Sequence, residues 1–194
     1  MSQGESRIEQ LESYLKKHRP LRIEPNTQSV HAAVIAVVRN MDDSLDLLFI
    51  RRAERAEDPW SGQIAFPGGR QHAGDRSTLE TALRETKEEL GIDLSRHGRI
   101  IGSLSDTTSH LGNLIITPYV ACVPYTIEIR TNAEVSEYFW IPIDGLNKVS
   151  NFPVTVRGDF LLRDAYVFGE RVIWGLTARI IDDLLTCMKS TKQK

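Results

Sequence analysis

The stretch Arg84-Glu85-Thr86-Lys87-Glu88-Glu89-Leu90-Gly91 places three carboxylates within five residues. On a helix, Glu85 and Glu88 are three apart and Glu85 and Glu89 four apart, so they share a face. Like charges at these spacings repel by roughly 0.2–0.5 kcal/mol per pair. Arg84 and Lys87 are the cations at hand, and such a helix calls for a further neutralising charge. A hard divalent cation supplies it. Oxygen donors suit Mg2+ or Mn2+ better than zinc.

Upstream stands Phe66-Pro67-Gly68-Gly69. Two glycines after a proline allow positive φ and close approach of the backbone to a ligand. Such a loop offers N–H groups to phosphate oxygens or a carbonyl to a metal. Alone, Pro-Gly-Gly reads as a tight turn, and a glutamate-rich helix reads as a solvated face. Their joint occurrence at this spacing is the informative feature.

Ser77-Thr78-Leu79-Glu80 has the S-x-x-E form of a capping box, and Gly91 fits a helix stop. Leu79, Ala82, Leu83, Thr86 and Leu90 form the stripe expected to pack on a core. Glu85, Glu88 and Glu89 span an arc of about 100° beside that stripe. They are expected at the rim between core and solvent, where a cleft can form.

The remaining elements follow from hydrophobic spacing. Helical periodicity predicts a first helix over Arg7–Lys17 and a linker over 20–29. Apolar runs predict strands over 31–38 and 45–52 around a turn at 40–44, followed by a loop over 55–63. Further strands are expected over 100–104, 114–123, 126–129 (a short edge) and 135–141, the last ended by Pro142. Residues 160–168 and 171–174 flank Gly169-Glu170 as a hairpin. Leu176, Ile180, Ile181, Leu184, Leu185 and Met188 predict a terminal helix. A mixed sheet with helices packed on its faces is the economical α/β architecture.

Gly69, then Asp75, then Arg84-Glu85-Thr86-Lys87-Glu88-Glu89-Leu90-Gly91-Ile92 resembles the box of the Nudix hydrolases, G-x5-E-x7-R-E-U-x-E-E-x-G-U with U apolar. The chain departs from it in three places. Asp75 replaces a glutamate, one extra residue precedes Arg84, and Thr86 stands at an apolar position. The insertion resembles the coenzyme A diphosphatase branch of the family. So do Gly62-Gln63-Ile64-Ala65-Phe66-Pro67-Gly68-Gly69 and Ile173-Trp174-Gly175-Leu176-Thr177-Ala178. Asp58 stands where that branch's upstream signature has an arginine.

The resemblance implies a Nudix-type α/β/α sandwich with a mixed sheet over residues 30–188. A helix and linker (1–29) precede this domain, and a tail (189–194) follows it. It also implies hydrolysis of a nucleoside diphosphate linked to a further group, with coenzyme A or a derivative as the expected substrate. The alternatives are ADP-ribose, NADH or another nucleotide, and a non-catalytic nucleotide-binding protein of the same fold. Glu85 and Glu89 are expected as the principal ligands of Mg2+ or Mn2+, with Glu88 as ligand or base. The resemblance adds the carbonyl of Gly68 as a ligand, and Arg84 would orient the carboxylates. Glu134 and Glu137 are the other candidate bases. Arg51, Trp60, Gly68 and Gly69 are expected to bind substrate. Arg51 and Arg52 follow a strand, where alternation sends them to opposite faces, so one of the two is expected to reach a phosphate. His110 belongs to a loop that could border the cleft, and a lone loop histidine more often has a structural role.

With 41% hydrophobic and 26% charged residues, the 194-residue chain has the balance of one soluble domain. A net charge of −2 argues against a nucleic-acid or anionic-membrane surface. No apolar run approaches the ~20 residues of a membrane span, and the N-terminus lacks a signal-peptide pattern. Cys122 and Cys187 have neither metal-binding nor redox spacing. A cytoplasmic protein with a nucleotide substrate is expected, and the resemblance makes a homodimer plausible.

Overall fold

The structure, a computed structural model, describes residues 6–41, 44–56, 60–109, 113–156 and 158–189. Asp58, His110 and the residues after 189 lie outside them.

The chain opens with helix α1 (Arg7–Lys17) and the hairpin β1 (Val30–Met41) and β2 (Ser44–Arg52). Two short strands follow, β3 (Ile64–Ala65) and β4 (Gly68–Arg70), then helices α2 (Thr78–Leu90) and α3 (Leu94–His97). Next come β5 (Arg99–Ser103), β6 (Thr107–Thr108), β7 (Leu114–Cys122) and β8 (Val135–Pro142). A 3-10 turn at Ile143–Gly145 leads into β9 (Asn147–Val156), β10 (Asp159–Phe168), β11 (Arg171–Trp174) and helix α4 (Gly175–Lys189).

Among the described residues, eight strands form a mixed sheet. The β1–β7 pair is parallel, from Val30 opposite Leu114 to Val38 opposite Cys122, while β1 and β2 pair antiparallel. β2 leaves β1 after Leu47 and takes β8 and β3 as neighbours. The first half of β1 takes β4 instead, with Val34 opposite Gly68. The segment carrying Phe66 and Pro67 thus crosses where β1 and β2 part.

Both faces of β1 are covered, which explains its nearly continuous apolar sequence. Ala33, Ile35 and Val37 face one core together with Ala82 and Leu90 of α2. Ala36 and Val38 face the other with Leu11 of α1 and Ile181 and Leu184 of α4. Helices therefore cover both faces, as in an α/β/α sandwich. The small antiparallel sheet β9–β10–β11 joins the second core through Tyr166 and Ile173. Among the described residues, no helix is long and apolar enough to cross a membrane.

Two expectations need correction. Residues 126–129 form no strand. Ile127 and Ile129 pack on the α2-side core, and the backbone just beyond them is spent on the end of α2. There the Arg130 N–H donates to the Leu90 carbonyl at 2.9 Å and that of Asn132 to the Glu89 carbonyl at 3.2 Å. Conversely, β9 gave no sequence signal. Its ten residues are nearly all exposed or half-buried and include a proline, so period-two apolar alternation is missing. Pairing with β10, from Val156 opposite Asp159 onward, makes it a strand.

Candidate active site

Helix α2 holds its carboxylates over the glycine turn. Its N-cap is Ser77, whose side chain accepts the Glu80 N–H. The expected reciprocal contact is replaced: the Glu80 carboxylate accepts the Arg76 backbone N–H at 2.7 Å. Gly91 ends the helix in the left-handed region at φ 69°. Thr86 occupies an apolar position of the box without penalty, because its buried hydroxyl donates to the Ala82 carbonyl at 2.8 Å.

The glycine turn is a steric necessity. A Cβ on Gly68, whose φ is 145°, would lie 2.2 Å from the Ala33 carbonyl oxygen. A Cβ on Gly69 would lie 2.6 Å from the Glu85 carboxylate carbon. Strand β1 backs the first glycine and a candidate metal ligand backs the second.

Glu89 lies deeper than the expected rim. It is 1% exposed, on the same stripe as Thr86 and Ala82. One carboxylate oxygen accepts the Gly68 N–H at 2.8 Å. Burial raises its pKa to about 8; the Gly68 N–H works against that shift and the nearby charge of Glu85 adds to it. Arg52 also favours the charged form, while Glu134 opposes it. Glu85, Glu89, Glu134 and Arg52 therefore share one electrostatic site on the α2 face.

Arg84 organises the outer side of this group. Its Nε and Nη2 clamp the two Asp75 oxygens at 3.0 Å each. Its Nη1 meets Glu85 at 2.9 Å and Glu88 at 3.1 Å. Asp75 also accepts the Thr81 hydroxyl and the His72 N–H, and together these contacts, led by Arg84, drive its pKa far below the carboxylate range. The shorter acid of this box thus still holds the arginine. Glu88 turns outward, with 54% of its side chain exposed.

The buried Glu89 beside Glu85 fits a hard cation, since both offer only oxygen and a divalent charge would offset the cost of burying the Glu89 carboxylate. Among the described residues, no three His, Cys, Asp or Glu side chains gather as a metal-binding group. An ion there would rest on Glu85 and Glu89 and complete its shell with water and substrate oxygens, as Mg2+ commonly does.

The other candidates are divided between the sheet faces. Glu134 pairs with Arg55 at 3.2 Å on the α2 side. Arg51 points the opposite way. Its Nε donates to Glu137 at 3.3 Å, and its Nη1 donates to the Gly62 carbonyl at 3.4 Å. Arg171 donates to the other Glu137 oxygen at 2.6 Å and lies 4.3 Å over the Phe139 ring. Held first by Arg171 and then by Arg51, Glu137 has a lowered pKa and is a weak proton acceptor. Arg51 also lines a cleft of about 750 Å3 with Glu54, Gly62, Thr155, Glu170 and Trp174. Neither Glu85 nor Glu89 lines that cleft. Trp60 is half-buried beside it, its carbonyl accepting the Gln63 N–H.

Of Arg51 and Arg52, one was expected to reach a phosphate, and Arg51 was the one assigned to substrate; Arg52 is the one whose charge acts on Glu89. Strand alternation was the available signal, since Leu48 and Ile50 face α2 while Leu47 and Phe49 face α4. What the sequence lacked was knowledge of which face α2 covers.

Residues 29–157 match the model of the NUDIX domain. A protein of Photorhabdus laumondii named "Uncharacterized Nudix hydrolase NudL" is 33% identical over 169 residues, covering 85% of this chain and 87% of that protein. A Yersinia pestis protein of the same name is 35% identical over 142 residues, covering 71% and 70%. Among solved structures, a MutT/nudix family protein from Enterococcus faecalis superposes with a TM-score of 0.56 at 17% identity, covering 93% of this chain and 74% of that one. The chain belongs to the Nudix hydrolase family, enzymes that hydrolyse phosphoric anhydrides of nucleoside diphosphate derivatives.

Proposed function

We propose that this chain is a divalent-metal-dependent diphosphatase of coenzyme A or a derivative, releasing 3′,5′-ADP and phosphopantetheine. The observation that carries the chemistry is the Glu85–Glu89 pair over the crowded Gly68–Gly69 turn. The substrate reading rests on the one-residue insertion before Arg84, on Gly62 to Gly69 and on Trp174-Gly175-Leu176-Thr177.

Glu85 and Glu89, with the Gly68 carbonyl, are the groups that would hold Mg2+ or Mn2+. Such an ion neutralises pyrophosphate charge and acidifies a water. Arg84, fixed on Asp75, holds Glu85 from the outer side and keeps its carboxylate against Gly69. Gly69, without a side chain, leaves that space to the Glu85 carboxylate. Glu134 is the favoured general base: it lies on the Glu89 side of the sheet, whereas Glu137 is tied to two arginines. Glu88, exposed and paired with Arg84, is the second candidate.

The test is a substrate panel with Mg2+: coenzyme A, acetyl-coenzyme A, ADP-ribose, NADH and dinucleoside polyphosphates. The reading predicts that coenzyme A or its acyl form is cleaved fastest, with 3′,5′-ADP among the products. Intact coenzyme A beside cleaved ADP-ribose or NADH contradicts it. Nucleotide binding without any hydrolysis identifies a binding protein instead.

A further inference from the structure

The carboxylate centre accounts for the anhydride of a nucleotide and leaves its base without a site. The cleft of about 750 Å3 lies where β3 meets β11, and its Ile64 belongs to the α4-side core, whereas α2, which carries Glu89, packs on the other. The loop after β2 connects the two. Glu54 and Ala56 line the cleft, while the intervening Arg55 pairs with Glu134, whose charge is felt at Glu89. One extended ligand following this loop would meet both.

Among the described lining residues, Glu54 and Glu170 outnumber Arg51, which disfavours a dianion beside them. The same lining combines acceptors, a guanidinium donor and the apolar Ile64, Val172 and Trp174. Arg51 is held for this task. Glu137 grips its Nε, and Arg171, seated on Phe139, grips Glu137. The Nη2 of Arg51 takes part in neither of its two bonds.

We propose that this cleft binds the purine base of the substrate, with Arg51 donating to a ring or carbonyl acceptor and Glu54 and Glu170 accepting from the exocyclic amine. The inference rests on the nucleotide reading above and adds the location and chemistry of base recognition. A purine carries acceptors and an exocyclic amine together on a large stacking face. Uracil has no amine for the two carboxylates. Arg171 and Glu137 are positioning residues, acting through Arg51.

The test is calorimetric binding of AMP and UMP to the intact protein in buffer with a chelator, so that no turnover is involved. AMP is expected to bind at least ~10-fold tighter than UMP, from the usual worth of stacking and hydrogen bonds to a base. The Arg51→Met variant and the double variant Glu54→Gln/Glu170→Gln should each reduce that ratio to ~2-fold or less. Arg171→Met should reduce it as well, and Arg171→Lys should restore part of it. Equal affinity for the two nucleotides in the unmodified protein overturns the proposal. So does binding of neither, or a ratio that survives both Arg51→Met and the double variant. Equal weakening of AMP and UMP by Arg51→Met also overturns it, because the cleft would then hold the phosphate. If purine preference is found and coenzyme A is not hydrolysed, the substrate reading fails and this inference stands.

Discussion

The carboxylate of Glu89, 1% exposed, accepts the backbone N–H of Gly68 at 2.8 Å. This bond ties the last turn of α2 to the turn that opens β4. It also fixes an acid in a place too dry to favour its charge. Glu89→Gln keeps an acceptor for Gly68 and removes the charge. Turnover should fall at least ~100-fold, as loss of metal-assisted chemistry implies, while circular dichroism remains that of the folded protein.

Metal removal should expose the cost of burying that carboxylate. The Glu89 pKa rises from 4.5 to about 8 on folding, mainly through desolvation. The folded state then binds more protons than the unfolded state between these values, so stability falls as pH rises through that window. With a chelator present, the melting temperature should be higher near pH 5 than near pH 8. The difference is on the order of 4 kcal/mol for Glu89 alone. Glu89→Gln should flatten the slope, and Mg2+ should raise stability most at the alkaline end.

The two glycines should fail differently. Gly69→Ala drives its Cβ into the Glu85 carboxylate, a side chain able to swing away, so activity should fall ~10-fold or more with the fold kept. Gly68→Ala drives its Cβ into the β1 backbone at a φ of 145°, and neither can yield cheaply. Its melting temperature should fall steeply, corresponding to ~2 kcal/mol or more.

Arg84 is a fork, and its charge alone cannot reproduce its contacts. Arg84→Lys loses the two-pronged grip on Asp75 while still facing Glu85. A fall in kcat of ~10-fold or more, with KM changed much less, is expected from misplaced carboxylates. A variant with unchanged kcat would show that the fork is dispensable.

The candidate bases separate by their partners. Glu134→Gln should lower kcat with KM changed much less. Glu137→Gln releases Arg51 and Arg171 and should act mainly on KM. The reverse pattern would exchange the two roles.

Local chemistry was legible in the sequence. Ser77, Gly91 and the stripe through Ala82 and Leu90 defined α2, and β1, β2 and β7 were marked by buried apolar runs. The depth of Glu89 could have been read from its spacing to Thr86 and Ala82, but its charge argued for the rim. What needs distant strands was not legible. Arg171 meets Glu137 and Thr155 meets Arg51's cleft only because β9–β11 fold beside β2 and β8. Arg52 joined the site only once α2 had chosen its face of the sheet.

The central claim is that Glu85 and Glu89 form the metal-bearing centre of a nucleotide hydrolase. Its most direct test is Mn2+ binding by electron paramagnetic resonance, paired with turnover, in the unmodified protein and in Glu85→Gln and Glu89→Gln. The account predicts that both substitutions weaken Mn2+ binding and cut turnover at least ~100-fold together. Undiminished Mn2+ binding and hydrolysis in both variants would contradict it.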